Sequence, residues 1–209
     1  MLQKTFLILV ILGSNLYADY FEKALNAYKQ GEKEEAVKFY KKACDNGNTE
    51  GCGKLVTMYG KGDGVRQDLN KALYYMEGMC NDGHSKACHK LGSFYKSGKK
   101  VPHNNKQAIK FYKKACDNGF ASGCISEAIV YQEGGYGVKR DIKRAFRLLD
   151  KECNKGNMFV CQYTGLIYFE GKEVRQNLKV AKEFFGKACD TGWDEGCEYY
   201  RLLNEQGIK

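Results

Sequence analysis

The amino-acid sequence predicts an all-α solenoid, a stack of helix hairpins joined end to end. Three observations lead to this prediction. The spacing Cys-x2-Gly-x4-Cys occurs five times and uses all ten cysteines. Successive copies begin 36, 36, 37 and 36 residues apart, and small and apolar residues follow each copy at helical spacing. A fixed period in the thirties is typical of repeat proteins, in which each unit buries its apolar face against its neighbours.

Residues 1–18 are predicted to be a secretory signal peptide. Lys4 precedes an apolar run from Phe6 to Leu12, and the small residue Ala18 favours cleavage directly after it. The run is shorter than the roughly 20 residues of a membrane-spanning helix, which disfavours the alternative of an N-terminal anchor and predicts no stable membrane insertion. We therefore expect a secreted or periplasmic mature chain, with residues 19–209 forming a single solenoid.

The first helix of each hairpin follows the second cysteine of a pair. After Cys88, the residues Leu91, Gly92, Tyr95 and Gly98 lie three, four, seven and ten positions further on. The first three spacings mark one helix face, and the final glycine suits a left-handed residue that ends the helix. The small residue predicts a close approach by a second helix, and the tyrosine is predicted to pack in the core.

The second helix begins in the pattern Val-x2-Asp/Asn-x3-Ala, in which the Asp or Asn is typical of an N-cap. One extra residue between Gly134 and Val138 explains the single interval of 37. The segment Lys38 to Gly47 recurs unchanged at Lys110 to Gly119, which indicates duplication. The predicted hairpins span about residues 19–46, 48–82, 84–118, 120–155 and 157–191, and a capping helix is predicted at 194–206.

Each cysteine pair flanks the turn between two hairpins, so each is predicted to form a disulfide across that turn. Closing a loop of about nine residues contributes roughly 2.5 kcal/mol in the chain-entropy model. An even number of cysteines behind an export signal is typical of such a framework. The predicted pairs are Cys44–Cys52, Cys80–Cys88, Cys116–Cys124, Cys153–Cys161 and Cys189–Cys197.

Zinc binding and redox chemistry are the alternatives for these cysteines. Cys80, His84, Cys88 and His89 offer four ligands of the kind that zinc accepts. The same two cysteine positions recur in four pairs without such histidines, so we predict no metal and no cofactor. No Cys-x-x-Cys motif occurs, which disfavours a thioredoxin-like role.

The net charge of +9 is spread over lysines in every repeat. A basic chain can attract acidic partners, lipid surfaces or nucleic acid. No cluster of arginines and aromatic residues appears, so the charge predicts a solvated helical surface and no nucleic-acid binding.

The motif Leu91-Gly92-x2-Tyr95-x2-Gly98, followed by Val-x2-Asp/Asn-x3-Ala, resembles the Sel1-like repeat, a relative of the tetratricopeptide repeat. Cysteines at the small positions around the turn make the chain similar to the secreted Helicobacter cysteine-rich protein family. The resemblance covers the mature chain and departs from the motif at Val56 and Glu127. It implies a right-handed α/α solenoid with one disulfide per repeat, and it also brings a β-lactamase label.

Serine β-lactamases combine Ser-x-x-Lys with Ser-Asp-Asn and Lys-Thr-Gly. Here only Ser-x-x-Lys occurs, at Ser93 with Lys96 and at Ser97 with Lys100, so these four residues are weak catalytic candidates. We therefore favour a binding scaffold whose concave face, lined by the first helices, holds an extended peptide or a protein, which the resemblance suggests is host-directed. The alternative implied by the resemblance is a penicillin-binding protein or slow β-lactamase that takes a β-lactam or a peptidoglycan-like small molecule.

Overall fold

The computed structural model describes residues 19–172 and 174–209. The predicted signal peptide and its cleavage site lie outside these residues and stay a prediction. Helix α1 covers residues 19–29. The helices that follow are α2 (Lys33–Asp45), α3 (Thr49–Lys61), α4 (Leu69–Asn81), α5 (Ser85–Ser97), α6 (Asn105–Asp117), α7 (Ala121–Glu133), α8 (Ile142–Asn154), α9 (Met158–Glu170), α10 (Leu178–Asp190) and α11 (Asp194–Glu205).

Every regular element in the described ranges is a helix, and the one isolated β-bridge there joins Gly135 to Val138. Odd-numbered helices are the first helices of the predicted hairpins, and even-numbered helices are the second ones. The predicted class, an all-α solenoid of helix hairpins with a disulfide in each repeat, is confirmed. No helix within the described residues combines the length and the apolar character that a membrane span requires.

The helix ends follow the sequence signals. The side chains of Asp68, Asn104, Asp141 and Asn177 each accept a hydrogen bond from the backbone N–H three residues further on. This satisfies one of the orphan donors of α4, α6, α8 and α10. Gly98 closes α5 in the left-handed conformation, with φ 66°. The predicted N-caps and this glycine stop are therefore confirmed.

The chain forms two compact units, one ending at Asp82 and the other beginning at Gly83. In the first unit, buried residues of α1 to α4 such as Ala27, Tyr40 and Leu55 form a core. In the second unit, Leu149 of α8 and Val160 of α9 lie in a core that also includes disulfide sulfurs. The prediction of one continuous solenoid over residues 19–209 stays a prediction.

Disulfides join the end of a second helix to the following first helix between α2 and α3, α6 and α7, α8 and α9, and α10 and α11. Cys44–Cys52, Cys116–Cys124, Cys153–Cys161 and Cys189–Cys197 have Cα–Cα distances of 4.7, 4.6, 4.7 and 4.5 Å. Cys80 and Cys88 are also disulfide-bonded. No free cysteine occurs in the described part of the chain. A framework of several disulfides is typical of proteins in oxidising compartments.

The small residue of the first helix allows a close approach of aromatic rings. A Cβ atom on Gly92 would lie 2.5 Å from Cδ1 of Tyr112, and one on Gly165 would lie 2.7 Å from Cδ1 of Phe185. Only a residue without a side chain leaves room for the ring at these two positions. The predicted close helix–helix contact is confirmed at both.

The motif tyrosines pack against the second helix of their hairpin. The rings of Tyr59, Tyr95 and Tyr168 each stack on an aromatic ring of α4, α6 or α10, with centroids 5.8, 5.6 and 5.9 Å apart. Tyr131 differs, because its ring lies under the guanidinium of Arg144, 4.2 Å from the centroid. The predicted packing role of these tyrosines is confirmed.

Candidate functional site

The first serine candidate is held by its own helix. The Oγ atom of Ser93 donates to the carbonyl oxygen of His89 at 3.0 Å and accepts a bond from the hydroxyl of Tyr112 at 3.3 Å. The ammonium of Lys96 forms an ion pair with Glu133. An activated nucleophile requires a base within hydrogen-bond reach, and Ser93 has no such base among its described partners.

The second serine candidate lies at the exposed end of α5. Ser97 donates to the carbonyl oxygen of Phe94 at 3.3 Å and accepts a bond from the backbone N–H of Lys99 at 3.4 Å. These contacts cap the helix end. Lys100 lies three residues beyond in an exposed turn. Among the residues described, neither Ser93 nor Ser97 therefore has a lysine within hydrogen-bond reach that could act as a general base.

We expect a chromogenic β-lactam to form no covalent adduct at Ser93 or Ser97, because neither hydroxyl contacts a base that could remove its proton. Intact-mass measurement of the oxidised protein, followed together with turnover, checks this expectation. The double variant Ser93→Ala/Ser97→Ala serves as the control. An adduct that forms in the native protein and is lost in the double variant would contradict the prediction.

Three of the four alternative zinc ligands are engaged in other interactions, and the fourth, His84, is the N-cap residue of α5. Cys80 and Cys88 are disulfide-bonded and offer no thiolate. His89 packs against the rings of Tyr112 and Phe120, and its Nε2 lies 3.1 Å from Oγ of Ser126. Burial lowers the pKa of its imidazole, which favours the neutral form in this packed site.

A more promising site is a groove at the N-terminal ends of α7, α9 and α11, three of the first helices of the second unit. This first-helix groove has a volume of about 770 Å³ and is lined by the N-cap residues of all three helices: Phe120 of α7, Asn157 of α9 and Trp193 of α11. Phe159 is half exposed, and its ring contacts that of Trp193 edge-on, with centroids 4.7 Å apart. Most of the remaining lining is apolar, as in typical ligand grooves.

Gln162 supplies polar groups in the wall of this groove. It is 7% exposed, and both its Nε2 and its Oε1 lack a hydrogen-bond partner within the described residues. The indole Nε1 of Trp193 is likewise buried and unpartnered there. Leaving a buried donor or acceptor unpaired costs about 1–3 kcal/mol, so these groups are available to pair with a ligand or an ordered water in the groove.

A carboxyl group is also buried in the second unit. Glu127 is 5% exposed, and its Oε2 has no hydrogen-bond partner among the described atoms. Desolvation raises the pKa of this carboxyl to about 7, partly offset by the positive charge of Lys113. Leu55 and Leu91 occupy the same position of the motif in other repeats. The departure noted in the sequence is thus a buried acid at a position that leucine occupies in two other repeats.

Comparison with known proteins identifies a repeat family whose model matches this chain. The Sel1 repeat family model matches residues 27–48, 52–84, 85–120, 128–157 and 161–192, which is more than half of the chain. HcpD of Helicobacter pylori, whose name gives it as a provisional β-lactamase, is 38% identical over 76 residues, covering 33% of this chain and 25% of HcpD. An exopolysaccharide production negative regulator of Rhizobium leguminosarum bv. viciae is 48% identical over 50 residues, covering 24% of this chain and 19% of the regulator.

The solved structures that it resembles have the same fold. The crystal structure of c5321, a protective antigen of uropathogenic Escherichia coli, has a TM-score of 0.61 at 22% identity, covering 93% of this chain and 47% of c5321. At that identity the likeness shows the fold alone. The chain aligns with a quarter or less of the length of the two curated relatives above. Those two relatives have unrelated names, so the shared repeat does not define one activity.

Proposed function

Because the chain belongs to the Sel1 repeat family, as its motif predicted, we propose that it is a disulfide-stapled binding scaffold whose first-helix groove holds an extended peptide. The family establishes a helix-hairpin scaffold, and repeats of this kind use extended surfaces to bind other proteins. The observation that supports this groove is Gln162, whose buried amide has both a donor and an acceptor unpaired.

The chemistry of the groove fits a peptide better than other ligands. A primary amide presents one acceptor oxygen and a donor nitrogen side by side, which complements the C=O and N–H of a peptide backbone. The rings of Phe159 and Trp193, together with Met158, offer apolar surface for the peptide's side chains. Glu195 is the charged residue of the lining and favours a basic side chain at that end.

Export to an oxidising compartment is part of this proposal. The predicted signal peptide would deliver the chain to the periplasm or the exterior, where its disulfides form. A stapled scaffold is well suited to that environment because small repeat layers bury little core on their own.

The position of Trp193 provides a direct assay, because it is the only tryptophan in the sequence and lies in the groove. We expect its fluorescence to change on titration with blocked pentapeptides that carry phenylalanine, leucine and lysine side chains. Replacement Gln162→Leu should weaken this binding roughly tenfold, because it removes two hydrogen bonds and leaves an apolar side chain of similar size.

Gln132→Leu is the matched control, since Gln132 is equally buried on α7 but does not line the groove. It should leave peptide affinity unchanged. Equal affinities in the native protein and Gln162→Leu would contradict the role of the amide. A fluorescence response that is absent with every peptide of the set would reject the groove as a peptide site.

A further inference from the structure

A second pocket lies beside a loop that differs from its counterparts. Residues 134–141 join α7 to α8, and this connection is one residue longer than those that join α3 to α4, α5 to α6 and α9 to α10. Tyr136 in this loop has φ 47°, in the left-handed region that residues with side chains seldom adopt. The extra residue is accommodated in a turn where the N–H of Val138 donates to the carbonyl oxygen of Gly135 at 3.0 Å.

A buried asparagine holds this loop in place. The Nδ2 of Asn105 donates to the carbonyl oxygens of Gly134 and Gly135, at 2.8 and 3.0 Å. Asn105 is fully buried at the first position of α6, where α4 and α10 have Leu69 and Leu178. A buried amide is stable only when it is paired, so this asparagine and the longer loop complement each other. The loop therefore has a fixed position.

The fixed loop forms one side of a pocket of about 580 Å³, here called the basic pocket. Its charged lining residues are Lys106 of α6, Lys139 and Arg140 of the loop, and Asp141 and Arg144 at the start of α8. Four cationic side chains thus surround one carboxylate. The ring of Tyr131 and two aliphatic side chains supply the apolar part of the wall.

The single carboxylate is already engaged. Asp141 is the N-cap of α8, and its Oδ1 accepts the backbone N–H of Arg144 at 2.8 Å. Lys106 and Lys139 form no ion pair with any residue that the structure describes. Arg140 donates through Nε to the carbonyl oxygen of Gln132 at 2.8 Å, which fixes its guanidinium without neutralising it. The pocket therefore has an excess of positive charge.

A pocket of the first unit that includes the matching helix start differs in charge from the basic pocket. That pocket is lined by Glu32, Lys33, Glu34, Glu35, Lys38 and Gly64. Its lysines are paired, Lys33 with Asp63 at 2.7 Å and Lys38 with Glu35 at 3.0 Å. In the register of the duplicated segment, Lys106 occupies the position of Glu34. The lysines of the first-unit pocket are thus paired with carboxylates, whereas Lys106 and Lys139 of the basic pocket are not paired with any carboxylate that the structure describes.

We propose that the basic pocket binds an oxyanion with two or more negative charges, such as the phosphate groups of a small molecule or of a lipid headgroup. The guanidinium groups match oxyanions through paired N–H donors, and the two lysines add unpaired positive charge. The N-terminus of α8 contributes the positive end of its dipole. This site is independent of the first-helix groove and of the peptide proposed to occupy it.

Inorganic pyrophosphate and citrate are the probes for the intact, oxidised protein. We expect pyrophosphate at millimolar concentration to shift the backbone amide NMR signals of residues 135–141. Citrate should shift the same signals less, because its carboxylates match the pocket less well than phosphate groups. Lys106→Gln/Lys139→Gln should weaken pyrophosphate binding roughly tenfold, because two charges are removed from the pocket. Lys143→Gln/Lys151→Gln is the control, since it removes the same charge from α8 outside the pocket.

The outcomes distinguish binding in the basic pocket from a non-specific effect of the protein's net charge. Equal weakening in both double variants, or the absence of amide shifts in residues 135–141 of the native protein, would overturn the proposal. Co-sedimentation with vesicles of phosphatidylcholine and phosphatidic acid, lost in Lys106→Gln/Lys139→Gln, would indicate a lipid headgroup as the source. Pyrophosphate binding without co-sedimentation would indicate a free phosphate compound.

Discussion

Replacing Glu127 by leucine is expected to stabilise the protein by about 3 kcal/mol at about pH 8. The residue is buried, and desolvation raises the pKa of its carboxyl to about 7 from 4.5, although the positive charges of Lys113 and Arg144 act against this rise. Below its unfolded pKa the carboxyl is protonated in both the folded and the unfolded state. As the pH rises towards the folded pKa, the carboxyl ionises only in the unfolded state, so the free energy of unfolding falls. The native protein should therefore lose stability through this residue between about pH 4.5 and pH 7. Urea unfolding of both proteins at several pH values measures the difference.

Glu127→Gln separates charge from packing. Glutamine keeps the shape of the side chain and a polar amide, but it cannot ionise. The stability of Glu127→Gln relative to the native protein should therefore also rise with pH. At acid pH, Glu127→Gln should be stabilised less than Glu127→Leu. The lowered pKa of His89 has the opposite effect, because it reduces stability as the pH falls. His89 is present in the native protein and in both variants, so its effect cancels when their free energies of unfolding are subtracted. A difference that does not change with pH would refute the buried, ionising carboxyl.

The periodic features of the fold could be predicted from the sequence because each depends on local rules. The N-cap at Asn104, the left-handed Gly98 and the spacing of the cysteine pairs recur in register, and each has one favourable conformation. Burial of Glu127 could not be derived in the same way. The sequence shows an acid at a leucine position, but only the packed structure shows that its Oε2 has no described partner.

The candidate sites were less predictable. The sequence directed attention to Ser93 and Lys96, whose spacing matches a catalytic motif, yet their side chains bond to His89 and Glu133 instead. Gln162 was not identified, because it follows Cys161 at a position that varies among repeats, and its importance depends on a groove shared by three helices. Such sites arise from neighbouring repeats rather than from one motif, so a single repeat pattern cannot reveal them.

Removing the Cys153–Cys161 disulfide with Cys153→Ala/Cys161→Ala should lower the free energy of unfolding by roughly 3–4 kcal/mol. Loop closure accounts for about 2.5 kcal/mol of this loss, and the remainder comes from the cavity left when the sulfurs of two cysteines that are 2% or less exposed are removed. Urea unfolding under non-reducing conditions, with the other disulfides intact, provides the measurement.

Cys189→Ala/Cys197→Ala is the matched control, because this pair closes a loop of the same length while both of its cysteines are only half-buried. The entropy model alone predicts the same loss for both pairs, whereas core packing predicts a smaller loss for the C-terminal pair. Equal losses would show that the disulfides act only by constraining the unfolded chain. If neither variant lost stability, the helix hairpins would be held together by their apolar cores alone, and the stapling role would be wrong.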